Sequence, residues 1–100
     1  MEEVPVSNFD WLLDLRIWRW QGRRFQLSLR DVLHEPARYR AYHEKAESAD
    51  TTYPIHIFRH RRRWVILDGY HRLLKTLVNG GRTIRVIKVR AGDLTPDIKT

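Results

Sequence analysis

The sequence predicts an α+β domain built on a small mixed β-sheet with about three helices. Three observations lead there. Residues 53–59 alternate apolar and polar side chains with the period of a half-buried strand. Tyr70, Leu73, Leu74, Leu77 and Val78 recur at helical spacing, with Arg72, Lys75 and Thr76 on the opposite arc. Between these stretches the bulky run 64–67 ends in Asp68-Gly69 and leads straight into the helical pattern, so strand, turn and helix succeed one another.

A chain of 100 residues is the size of a single domain, here 1–100, and folding hides about two-thirds of the surface of such a chain. The 42% hydrophobic content, with four Trp and four Tyr, suffices for one core. No apolar run approaches the roughly 20 residues of a membrane span, so no membrane partner is expected. The start Met-Glu-Glu-Val-Pro lacks the basic-then-apolar form of a signal peptide. With zero Cys there are no disulfides or thiolate metal sites, which suits a cytoplasmic location. Nineteen Lys+Arg against 12 Asp+Glu give a formal charge of +7, and Arg far outnumbers Lys. Arg is favoured where phosphate or carboxylate is gripped through two hydrogen bonds. A basic surface also attracts any polyanion. Charge thus favours a phosphorylated ligand or nucleic acid without choosing between them.

Along the chain, residues 1–8 read as a flexible lead. Over 11–17, apolar residues interleave with Asp14 and Arg16, as in a half-buried strand or extended segment. Trp18-Arg19-Trp20 runs into Gln21-Gly22, a tight turn, and Phe25 and Leu27 continue an extended return. The three aromatics Trp18, Trp20 and Phe25 beside Arg19, Arg23 and Arg24 have two readings. They can stack bases, as in single-strand binders, or pack the core edge with the arginines solvated, and small domains usually depend on such Trp burial.

Ser28-Leu29-Arg30-Asp31 has the spacing of an N-cap with an acid at N3, opening a short helix that Glu35-Pro36 stops. Pro36 suits N1 of a second helix running to about Glu47, with Tyr39, Tyr42 and Ala46 as its apolar stripe. His43 and Glu47 are four apart, but a metal needs a third ligand at matching spacing, so a solvent-facing pair is expected. A loop follows to Thr52. His60-Arg61-Arg62-Arg63 makes a basic connection between the strands 53–59 and 64–68, which should pair as a hairpin. Its tip, Arg61, Arg62 and Arg63, is the candidate nucleic-acid contact if it is not merely solvated. Gly80-Gly81 ends the main helix by the C′ glycine device. A last strand spans 84–89, where adjacent Val86 and Ile87 imply two-sided burial or a bulge. Residues 91–100 are polar and are expected to fray.

The chemistry concentrates at 68–72. A helix's first turn carries N–H groups without intrahelical partners and the positive end of the macrodipole. Gly69 there permits close backbone approach, His71 adds a tunable donor and Arg72 a fork-shaped cation, together an anion site suited to phosphate. Lys75, one turn on, extends the cationic rim. Asp68 orients the loop or holds Mg²⁺ through water. Asp68 and His71 are the candidate catalytic groups, with Glu35 and Asp31 as further candidates for a base. Two plainer readings stand beside this one: Asp-Gly is also a hairpin signal, and His71 and Arg72 can be solvated. The wheel pattern argues for the helix.

Strand, Asp68-Gly69-Tyr70-His71-Arg72, helix, Gly80-Gly81, strand resembles the signature of the ParB/sulfiredoxin superfamily over roughly residues 12–90. Members carry a Gly-x-x-Arg type box at a helix start that grips nucleotide phosphates. ParB partition proteins show Gly-Glu-Arg-Arg there, sulfiredoxins Gly-Cys-His-Arg, and free-serine kinases an Asp-Gly-His-His-Arg-like string. Gly69, His71 and Arg72 match, and Asp68 matches the kinase-like branch. The departures are informative. Tyr70 stands where sulfiredoxin needs its cysteine, which excludes thiol-based repair. A helix-turn-helix module and dimerisation tail of partition proteins do not fit within the chain, and a second nucleotide box rich in Asn and Arg is not visible. The resemblance implies a bacterial or phage nucleotide- or phosphate-binding domain taking a nucleoside triphosphate with Mg²⁺. A phosphotransferase or NTPase activity, a DNA- or nucleic-acid-binding role, and a non-catalytic regulatory module are its three alternatives.

Overall fold

The computed structural model describes residues 1–90. Strands β1 (Glu2–Pro5), β4 (Ile55–His60), β5 (Arg63–Asp68) and β6 (Thr83–Lys88) form a mixed sheet in the order β1-β6-β4-β5. Only β4 and β6 run parallel; β1–β6 and β4–β5 are antiparallel. Strands β2 (Trp18–Trp20) and β3 (Arg23–Leu27) make a separate hairpin. Helices α1 (Leu29–His34), α2 (Arg40–Ser48) and α3 (Tyr70–Val78), with a 3-10 helix at Val6–Leu12, supply the rest. The expected α+β architecture with a mixed sheet and three α-helices is present, and none of these helices is long and apolar enough to cross a membrane.

The core lies on one face of the sheet. Ile55, Ile57, Ile66, Ile84 and Val86 point inward to meet Phe9, Leu12, Leu29, Val32, Leu73 and Leu74, all buried. Alternation then turns Leu67 and Ile87 toward solvent on the other face. Ile87 is 38% exposed while its neighbour Val86 is closed off, so the expected two-sided burial or bulge there does not occur. Three local expectations hold. Ser28 and Asp31 form a reciprocal capping box. Glu35 ends α1. Gly80, at φ 72, follows α3.

The start of the chain departs from expectation. Residues 1–8 do not lead in loosely: β1 pairs along β6 and buries Val4. With one buried side chain among four residues and a proline at the end, that strand leaves little periodic trace. The extended segment expected over 11–17 is largely the 3-10 helix and the turns after it. Phe9, Leu12 and Leu13 reach the core at helical spacing, and the alternation read from Trp11 onward was incidental to it. The second helix begins later than Pro36. The amides of Arg38 and Tyr39 both donate to the Glu35 carbonyl in a turn, and Tyr39 keeps a non-helical backbone that tucks its ring under Trp20. What was expected of 91–100 lies outside the described residues.

Helix α3 is the main cover of the sheet, and its inward face sets a ranking. Leu73 and Leu74 are fully buried, whereas Leu77 is packed only partly against the core. Leu74→Ala should cost about 2–5 kcal/mol, as deep Leu truncations do, and Leu77→Ala clearly less. Urea unfolding of both variants checks this, and equal losses would misplace the face of α3.

Candidate functional site

Gly69 sets the geometry of the 68–72 loop. It sits in the left-handed region at φ 98, between the end of β5 and the first turn of α3. A Cβ there would lie 2.4 Å from Ile55 Cγ2, so the turn is pressed directly onto β4. The glycine is therefore required by packing within the fold, whatever ligand approaches. It also leaves α3 with no side-chain cap: Leu73 N–H reaches the Gly69 carbonyl, and the amides of residues 70–72 belong to the turn whose donors lack intrahelical partners.

Arg72 stands in that turn. Its guanidinium donates to the Pro54 carbonyl at 3.1 Å and lies 6.0 Å from the centre of the Tyr53 ring. Asp68, at the end of β5, accepts from both the His56 amide and His56 Nδ1, each at 3.0 Å. Partial burial raises the Asp68 carboxyl, but the His56 hydrogen bonds and the nearby His56 and Arg72 charges outweigh it, leaving the carboxyl below its ordinary value. Asp68 is thus held as a carboxylate, whose charge would repel any anion brought alongside it.

His71 and Lys75 do not join this cluster. Successive helix residues point about 100° apart, and the His71 ring goes inward, stacked 5.2 Å from Trp18 with Tyr42 beyond at 6.3 Å. Its Nε2 is buried and finds no hydrogen-bond partner among the described residues. Burial, and then the Lys45 charge, push the imidazole below its ordinary value. The ring is therefore engaged in the aromatic stack, and no described polar group of the Asp68–Arg72 loop reaches its Nε2. Lys75 is spent on the carbonyls of Glu47 and Ala49, at 2.9 and 2.8 Å, where it caps the C-terminal end of α2 rather than extending a cationic rim.

The other sequence candidates lie apart. Arg61 and Arg62 form the β4–β5 turn with φ 50 and 67, and Arg63 lies over the Trp11 ring at 4.9 Å. They stand at the far end of β5 from Gly69, a strand's length of roughly 3.3 Å per residue. Asp31 is occupied in the capping box and Glu35 pairs loosely with Arg38, so neither serves as the base at this loop. His43 Nε2 donates to the Val32 carbonyl at 2.6 Å, which makes it a tie between α1 and α2 rather than a solvent-facing partner of Glu47.

His56 and Tyr53 are the members that the sequence reading missed. His56 looked like one polar residue of an alternating strand, and only the register of β4 against β5 puts it beside Asp68. Among the described residues no three His, Cys, Asp or Glu side chains gather to hold a metal. Comparison with family models, curated proteins and solved structures finds no match to this chain.

Two outcomes follow from this geometry. Gly69→Ala should be far more damaging than Gly80→Ala, where a Cβ meets nothing within 4 Å and only the left-handed backbone costs, about 1–2 kcal/mol. Thermal melts of both variants give the comparison, and similar losses would remove the contact with Ile55 from the account. The second outcome concerns pH. The folded state favours neutral His71, whereas an unfolded chain binds the proton near its ordinary value of about 6.5. Stability should therefore be full above about pH 6.5 and fall as the pH drops toward the lowered folded value. His71→Phe keeps a ring in the stack and should flatten the fall in melting temperature between about pH 7.5 and 5.5. A slope equal to the parent's would exonerate His71.

Proposed function

We propose that the protein binds a phosphorylated ligand, a nucleoside triphosphate in the first instance, at the uncapped first turn of α3. The observation that supports this reading is the turn itself: Gly69 offers no capping side chain, and Arg72 in the same turn carries a guanidinium held at the Pro54 carbonyl. Amides and dipole favour an anion there, and a guanidinium fork adds charge-assisted bonds to phosphate oxygens. Tyr53, 63% exposed next to Arg72, supplies a face on which a base can stack. The resemblance of Gly69, His71 and Arg72 to the phosphate box of the ParB/sulfiredoxin superfamily points the same way, with His71 contributing its amide alone.

Transfer of the phosphoryl group would need a base near the acceptor hydroxyl. His56 is our candidate for it: its Nδ1 is hydrogen-bonded to Asp68 at 3.0 Å, and in this scheme Nε2 would be the atom that accepts the proton. Asp68 in this scheme positions the imidazole and holds no metal of its own.

A panel of nucleotides read by calorimetry, with and without Mg²⁺, tests the reading. Arg72→Ala should weaken binding about ten- to hundred-fold, the worth of a contact of about 1.5–3 kcal/mol. Arg61, Arg62 and Arg63 together replaced by Ala should leave nucleotide affinity nearly unchanged, because a pocket uses few contacts. Unchanged affinity in a folded Arg72→Ala protein, or loss of all binding in the triple variant alone, would reject the α3 site.

A further inference from the structure

The β2–β3 hairpin has two unlike sides. Its inner side is used up in packing: Trp18 stacks on Tyr42 at 4.6 Å, Trp20 meets Tyr39 edge-on at 4.9 Å, and Leu27 is buried. The Tyr42 hydroxyl also donates to the Arg19 carbonyl, fastening the hairpin to α2. These contacts pack both Trp residues, partly buried, against the edge of the core.

The outer side presents something else. Trp18 faces Leu27 and Trp20 faces Arg23, so β3 has residues in excess of β2, and the surplus is thrown outward as a bulge. Phe25 sits in this bulge at φ 57, a backbone region that an aromatic residue rarely occupies. The residue is 68% exposed. A strained backbone and a solvated aromatic are both unfavourable, and together they mark a side chain displayed rather than packed. Phe25, Ile17, Arg19 and Arg24 line a shallow cavity of about 200 Å³. No acidic residue occurs between positions 17 and 27. Arg19, Arg23 and Arg24 have no ion-pair partner among the described residues.

We propose that this outer side binds single-stranded nucleic acid, with Phe25 stacking on a base and Arg19 and Arg24, which line the same cavity, meeting the flanking phosphates. Unpaired cations alone suit any polyanion. The exposed ring among them is what selects unpaired bases, because a duplex offers its charged backbone but hides its π-faces. The chemistry is common to RNA and DNA single strands, and it uses none of the groups at the start of α3.

Fluorescence anisotropy with labelled oligo-dT and oligo-rU of about 12 nucleotides, within the span such sites cover, provides the test. The parent should bind single strands more tightly than a duplex of equal length, and the two oligomers separate RNA from DNA preference. Phe25→Gly relieves the left-handed backbone, so its melting temperature should hold or rise while affinity falls about ten-fold or more. Phe25→Trp should retain binding. Replacing Arg19 and Arg24 by Gln should lower the slope of log affinity against log salt by about 1.4, at 0.7 per phosphate on single strands. The proposal is overturned by Phe25→Gly binding as tightly as the parent. It is equally overturned by duplex bound as well as single strand, or by phosphatidylserine vesicles captured where the oligomers are not.

Discussion

The junction of β5 and α3 rests on the missing side chain of Gly69. Because the backbone there can take φ 98 and lie against Ile55, α3 begins almost on the surface of β4 instead of a side chain's width above it. That close seating turns Leu73 and Leu74 directly into the core and sets Arg72 within reach of the Pro54 carbonyl just ahead of β4. It also leaves the first turn uncapped. One steric fact thereby serves the hydrophobic layer and the candidate anion site together, and a bulkier residue would compromise both.

What could be read in the chain is what is local along it. The capping box needs only Ser28 and Asp31, three apart, and the inward face of α3 needs only its own periodicity. The hairpins announce themselves through Gln21-Gly22 and the basic connection at 60–63. What could not be read depends on register and direction. His56 and Asp68 are 12 apart and meet only because β4 and β5 pair with an irregularity between His56 and Ile57. His71 and Arg72 are neighbours in the motif, yet the helix aims one ring into the Trp18 stack and the other side chain at Pro54. A motif names adjacent residues as one site, and a helix separates them. Lys75 shows the same limit, since its partners at the end of α2 are 26 and 28 positions away.

The arginines do not all serve alike, a difference that composition could not show. Arg38, Arg59 and Arg63 lie over the rings of Tyr39, Trp64 and Trp11 at 5.5, 5.3 and 4.9 Å. There their stems cover apolar surface while the charge stays hydrated, which is packing as much as electrostatics. Those on the outer side of the β2–β3 hairpin cover nothing comparable. A net charge of +7 is therefore a poor guide to how much of the surface invites a polyanion, because part of it serves the core edge.

The strand order β1-β6-β4-β5 leaves two rims, and they are finished differently. A bare rim is a template on which a strand of another molecule can assemble, the first step toward aggregation. At one rim β1 is only four residues long, begins with Glu2 and Glu3, and ends with Pro5, which has no amide hydrogen to offer. At the other, the Trp11 indole donates to the Trp64 carbonyl of β5 at 3.2 Å, so the 3-10 helix occupies part of that strand's backbone. The segment that precedes the hairpin thus guards one side of the sheet in person and the other by composition, so that neither rim offers a long bare template.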